Sequence, residues 1–170
     1  MFNFLKPQKG RGRKHFAPPF CYETEIFMQI FIDADACPVV DIAVRLCKKY
    51  NKKCTIVCDY AHNITKYGAK TIIVSKGADS ADFKIANLIN AGDIVITQDY
   101  GLAAMCMAKN AKIINQDGLL YTKDNIDGLL FYRSEARKMR AAGKKCTHIK
   151  KRTKESDKHF EQEFEKLIKC

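Results

Sequence analysis

The stretch MQIFIDADACPVV, residues 28–40, decides how this chain is read. Its first half, QIFI, is a short apolar run that suits a strand covered on both faces. The run stops at two aspartates, Asp33 and Asp35, followed by Cys37 and Pro38. Proline is tolerated in a first helical turn, so a helix is expected to start here. Charge is costly to desolvate without a partner. A buried strand with two carboxylates at its end therefore predicts either cationic partners or a bound cation at that place.

The same pattern recurs outward along the chain. Val39–Tyr50 reads as a helix, CTIVC (54–58) as a second strand and TIIV (71–74) as a third. Asp79–Asn90 reads as a helix ending near Ala91-Gly92, and IVIT (94–97) as a fourth strand. Gly101–Lys109 is helical and KII (112–114) a fifth strand. Thr122–Ala142 is mostly helical, with Gly128 a weak point and Gly143 a C-terminal stop. A last amphipathic helix begins at Asp157 and places Phe160, Phe164, Leu167 and Ile168 on one face. This alternation predicts an α/β fold, a central, mostly parallel five-stranded sheet flanked by helices in three layers. Crossovers should be right-handed, and ligands should bind outside the carboxyl ends of the strands at the topological switch point.

Residues 28–170 are expected to form a single domain whose C-terminal part is basic and helical. Residues 1–27 have no sustained period and carry Gly, Pro and basic clusters. They read as a disordered basic arm ahead of Met28, the expected natural start. No run approaches the ~18 apolar residues of a membrane span, and no signal-peptide core is present, so the expected location is the cytoplasm, with no membrane partner. The 8 cysteines are scattered without C-x2-C spacing and read as reduced, mostly buried thiols. Charge is uneven. Residues 1–27 carry 5 basic and 2 acidic groups, 28–132 carry 12 and 11, and 133–170 carry 13 and 6. Such asymmetry points to a polyanionic partner, RNA or DNA, with a solvated basic helix as the plainer reading.

The middle segment holds the acids that the strands would carry to one edge. Strand one ends in Asp33 and Asp35, strand two in Asp59, and strand four runs into Gln98 and Asp99. Asp79 and Asp82 share the first turn of the helix after strand three. Taken singly, each has a structural explanation: Asp79 is a natural N-cap, Asp82 favours the helix dipole, Asp35 suits a cap on the helix with Pro38, and Asp59 suits a turn. Taken together they predict a site, because the switch-point rule places strands one and four side by side and with them Asp33 and Asp99. Adjacent carboxylates repel, and hard oxygen ligands select Mg²⁺ or Mn²⁺. Such a metal polarises a phosphodiester, activates water and stabilises the leaving oxygen. Asp33, Asp82 and Asp99 are the candidate catalytic acids, with Asp35 and Asp79 as further metal ligands. Thr97 and Gln98 would orient the metal-bound water. Lys76 and Lys84 flank the acidic helix as phosphate contacts or salt-bridge partners. Between Arg133 and Lys154 only Glu135 is acidic, and Arg133, Arg137, Lys144 and Lys145 are expected to hold a nucleic-acid backbone without sequence choice.

FIDADACPVV (31–40), KGADSADFKIANLINAGDIVITQDYGLA (76–103), DGLLYTKDNID (117–127) and the tail RTKESDKHFEQEF (152–164) together resemble the YaiI/YqxD family of uncharacterised bacterial proteins. The resemblance runs over about residues 28–168. That family is similar in turn to the PIN-like nucleases, which cut RNA or DNA with an acidic cluster and Mg²⁺ or Mn²⁺. It implies a PIN-like three-layer fold, and carries the strand-one, central-helix and strand-four acids onto Asp33, Asp82 or Asp79, and Asp99. The chain departs from the family where Asn115-Gln116-Asp117-Gly118 replaces a Pro-Arg-Gly after the fifth strand, and where a Gly-Pro loop is missing near Cys146–Lys150.

IFIDADA also resembles the nucleophile motif of haloacid-dehalogenase-like phosphatases, with Asp33 as nucleophile, Asp35 as general acid and Ser75 at the end of strand three. Cys37 stands where that family keeps threonine, and Asp93 precedes its strand rather than ending it. A third reading is a non-catalytic domain that binds nucleic acid or a partner. Two features would support it: Asp33 and Asp99 paired to buried Lys or Arg, and no metal-dependent stabilisation. Cys37, near a helix start, reads as packing rather than as a reactive thiol, because no histidine is adjacent.

Overall fold

A strand whose side chains alternate between two apolar environments must be covered on both sides. The computed structural model describes residues 28–35, 37–60, 64–75, 80–143 and 151–169. In chain order the elements are β1 (Gln29–Asp33), α1 (Val40–Lys49), β2 (Lys53–Asp59), β3 (Lys70–Val74), α2 (Ser80–Leu88) and β4 (Ile94–Ile96). There follow α3 (Tyr100–Ala108), β5 (Lys112–Ile114), β6 (Leu120–Tyr121), α4 (Lys123–Ala141) and α5 (Lys154–Lys169). Ile30, Ile32, Ile56, Ile94 and Ile96 point to one side and pack with Val44 of α1 and Phe160 and Phe164 of α5. Phe31, Val57, Val95 and Ile113 point to the other and pack with Ile85 of α2, Leu102 of α3 and Ile126 of α4. The result is three layers, α/β/α.

The strand order is β3-β2-β1-β4-β5-β6. The first five strands are parallel and β6 runs antiparallel to β5. The sheet thus has six strands where the apolar pattern predicts five. β6 is only two residues long, too short to show a period. It is created by the turn at Gly118, where φ is +86° and an added Cβ would lie 2.7 Å from His159 Nδ1.

Element boundaries follow the sequence with local exceptions. α5 starts at Lys154 rather than Asp157, because the Thr153 hydroxyl accepts the Ser156 amide at 3.3 Å as a cap. α4 passes through Gly128 without interruption, since a capping box of Thr122 and Asn125 secures its start. It ends before Gly143, where φ is +71°. The predicted arm, 1–27, lies outside the described residues. No helix among the described residues is long and apolar enough to cross a membrane. Cys47, Cys54, Cys58 and Cys106 are buried free thiols, as their scatter predicts.

Candidate active site

The neighbouring positions of β1 and β4 form the switch point, since the chain leaves β1 toward β2 and β3 and returns to β4 on the other flank. Ile32 pairs with Ile96, so Asp33 and Thr97 emerge together at the carboxyl edge. The Thr97 hydroxyl donates to Asp33 Oδ2 at 2.7 Å and accepts the Asp99 amide at 3.0 Å. Thr97 is 1% exposed, which fixes this geometry. Thr97 acts on the Asp33 carboxylate directly, from the neighbouring strand.

Asp33 is only partly exposed, and its pKa is pushed up to about 6. Burial is the main cause. The Thr97 hydroxyl opposes it, while the charges of Asp82 and then Asp35 add to it. Asp82 occupies the first turn of α2. Asp35 does not cap α1: the helix starts one turn later, behind Val39, with no side-chain cap. Instead Asp35 Oδ1 accepts the Asp59 amide at 3.3 Å and ties the ends of β1 and β2 together.

Asp99 has a different environment. Its Oδ1 caps α3 by accepting the Gly101 and Leu102 amides at 2.6 and 3.2 Å. Its Oδ2 receives Arg133 from α4 at 3.0 Å. Burial pushes the Asp99 carboxyl up, but Arg133 and the two amides outweigh it and hold it below the usual range. Gly101 leaves room for this cap, since a Cβ there would lie 2.9 Å from Asp99 Oδ1. Arg133 is further placed by Tyr100, its guanidinium carbon 5.5 Å from the ring centre. The carboxylates that reach Asp33 electrostatically are therefore those of Asp82 and Asp35, and Asp99 is matched by an arginine.

Among the other sequence candidates, Gln98 lies exposed beside Asp99, and Lys84 and Arg137 are exposed on α2 and α4. Asp79, Lys76, Lys144 and Lys145 lie outside the described residues. The thiol of Cys37 is pushed up to about 11, chiefly by burial, which agrees with packing. Two residues escaped the sequence reading. Arg152 donates to Asp157 at 2.6 Å, to Asp117 at 3.0 Å and to the Gln116 carbonyl at 2.8 Å, pinning the turn after β5 to the start of α5. It is thus a structural cation within the basic stretch expected to hold nucleic acid. Asp93, 1% exposed, accepts the Gln29 amide at 2.9 Å and the Asn90 amide at 2.8 Å at the opposite edge of the sheet. An aspartate in the short connection between a helix and a strand, directly ahead of the strand, was the available signal for that role.

Comparison with known proteins places this chain in a family. The model of the "uncharacterized BCR, YaiI/YqxD family" matches residues 31–170. The chain belongs to the YaiI/YqxD family. Its relatives in that family include a UPF0178 protein of Exiguobacterium sibiricum, 46% identical over 141 residues, which span 83% of this chain and 96% of the relative. A UPF0178 protein of Ruminiclostridium cellulolyticum is 46% identical over 142 residues, 84% of this chain and 93% of its own. One of Alkaliphilus oremlandii is 48% identical over 135 residues, 79% and 87% of the two chains. No solved structure matches the chain.

As a YaiI/YqxD protein the chain can be tested for the fit of a divalent cation. At Asp33 the ionised form is disfavoured by burial and by the charges of Asp82 and Asp35. Asp99 does not fit while Arg133 holds it. Among the described residues no group of three or more His, Cys, Asp or Glu is arranged to hold a metal ion.

Proposed function

We propose that this YaiI/YqxD protein is a divalent-metal-dependent nuclease acting on RNA or DNA, with its site at the switch point between β1 and β4. The observation that carries the reading is Asp33, partly buried at that edge, held by the Thr97 hydroxyl at 2.7 Å and raised to about 6 with Asp82 and Asp35 as contributing charges. A carboxylate perturbed by burial and by neighbouring like charges at a switch point is a candidate functional group. Mg²⁺ or Mn²⁺, when bound, supplies the positive charge and the activated water that phosphodiester hydrolysis needs. The chain's own residues have separate tasks. Asp33 and Asp82, with Asp35, offer oxygen donors, Thr97 sets the orientation of Asp33, and Lys84 and α4 supply cations for the backbone of the substrate.

The test is cleavage of labelled RNA and DNA with Mn²⁺. Asp33→Asn is expected to lose metal-dependent cutting while keeping the fold, since asparagine can still accept the Thr97 hydroxyl. Wild-type protein that cuts neither polymer, with no property changed in Asp33→Asn, refutes the nuclease. A second reading is favoured by the Arg133–Asp99 pair: a non-catalytic domain that binds nucleic acid or a partner. It expects binding without cutting and no rise in melting temperature with Mn²⁺. Turnover of an aryl phosphate through a phospho-aspartate would instead favour the phosphatase.

A further inference from the structure

The two ends of the sheet are finished differently. At one end β6 is only two residues long and leads into α4, so it offers almost no ladder. At the other end stands β3, Lys70–Val74. It pairs with β2 in an unbroken register from Thr55–Lys70 to Asp59–Val74, so no bulge turns it aside. Among the described residues its main chain bonds to β2 alone. The N–H and C=O groups on its outer side therefore form an open ladder about 17 Å long. Edge strands are normally blunted by charge, proline or a covering element. Here the single charge is Lys70, at the first position, and Thr71, Ile72, Ile73 and Val74 are all β-branched. Ile73 is 39% exposed, whereas the isoleucines of β1, β2 and β4 are fully buried. The helix packed on the Ile72 and Val74 side, α2, also leaves Phe83 and Leu88 exposed.

We propose that two copies of this chain join antiparallel through β3, about a two-fold axis at Ile72, into one continuous sheet. Two observations favour a second copy as the occupant of this edge. A two-fold axis across an edge strand makes antiparallel pairing, and β3 complements itself in that register. Ile72 meets the partner's Ile72, Thr71 meets the partner's Ile73 on the other face, and Lys70 lays its aliphatic stem along the partner's Val74. Charge points the same way. Copies of a chain at +11 repel one another, but residues 28–132 carry 12 basic and 11 acidic groups. The arginines of α4 stand with α3 beside β5, at the far end of the strand order, so a joint at β3 keeps them apart. Pairing uses up the edge on both chains, so assembly closes at the dimer. It sets the carboxyl edge of one sheet beside the amino edge of the other, and the two Asp33 sites open in opposite directions. None of this depends on a metal or on nuclease activity.

The experiment is sedimentation equilibrium of the full chain from micromolar to near-millimolar concentration, with hydrogen exchange at both ends of that range. A five-residue ladder is at the small end of stable interfaces, so the dimer should dissociate on dilution. The amides of residues 70–74 should exchange more slowly in the concentrated sample. Ile73→Lys and Ile73→Glu each place like charges diagonally across the axis, and each should weaken the dimer roughly ten-fold or more. Because Ile73 is exposed, both variants should keep the melting temperature of the diluted wild type. Mixed in equal amounts they should pair again, since opposite charges then face each other across the axis. Contact through any other surface would not respond to this exchange of charge. The mass of a single chain at every concentration, a dimer that both variants keep, or a mixture no stronger than either variant alone overturns the proposal. Assembly beyond two chains overturns it too. Protection of residues 70–74 that is equal at all concentrations would assign the edge to a segment of the same chain, residues 1–27 first, and overturns the dimer as well.

Discussion

Asp93 and Asp33 lie at opposite edges of the same pair of strands, and the contrast between them separates structure from chemistry. Asp93, before β4, accepts two backbone amides, from Gln29 and Asn90, and so joins the start of β1 to the end of α2. Asp33, after β1, is surrounded by burial and like charge, with the Thr97 hydroxyl opposing. Both are aspartates at sheet edges, yet one is matched by the fold and the other raises its energy. The second arrangement does not serve stability near neutral pH, and the proposed function rests on that contrast.

The largest effect is expected at the matched end. Asp93→Ala would leave two amides without their acceptor and should cost about 2–4 kcal/mol in urea unfolding. A loss below ~0.5 kcal/mol would break the contrast. At the other end the sign reverses. The folded-state pKa of Asp33, about 6, lies above the ordinary 3.8. The stability contributed by its protonated form is therefore full below 3.8 and is lost as pH rises through about 6. Asp33→Asn should be more stable than wild type near neutral pH, by roughly 1–2 kcal/mol, and should flatten the fall in stability between those values. Unfolding curves across pH 4 to 7 measure both.

Arg152 refines the comparison, because it is a cation beyond β5 that serves the fold. Arg152→Ala should cost about 1–2 kcal/mol through its lost bonds to Gln116, Asp117 and Asp157, without weakening oligonucleotide binding beyond the loss of one charge. The smallest change is a control away from both edges. Gly128→Ala in exposed α4 meets nothing within 4 Å and should stabilise by about 0.5–1 kcal/mol.

The parallel core was legible because each strand is a short apolar run and each helix carries its own spacing. Boundaries moved where a cap intervened, as Thr153 did for α5. β6 was illegible because two residues carry no period. At the site, Asp33, Asp35, Asp82 and Thr97 were legible from their places after strands and in a first helical turn. The role of Asp99 as a cap had a signal, an aspartate just ahead of a helical run. Its arginine had none, since Arg133 lies 34 residues away on another helix.

The amino-acid sequence by itself determined the five parallel strands, the helices between them, the family and the strand ends on which the acids stand, because these depend on local pattern and on residues close together in the chain. Tertiary structure decided which acids act on each other. Strand order set Asp33 beside Thr97, and helix packing brought Arg133 to Asp99. The physical reason is that charge interacts through space over a few ångströms, and only the packed fold sets those separations.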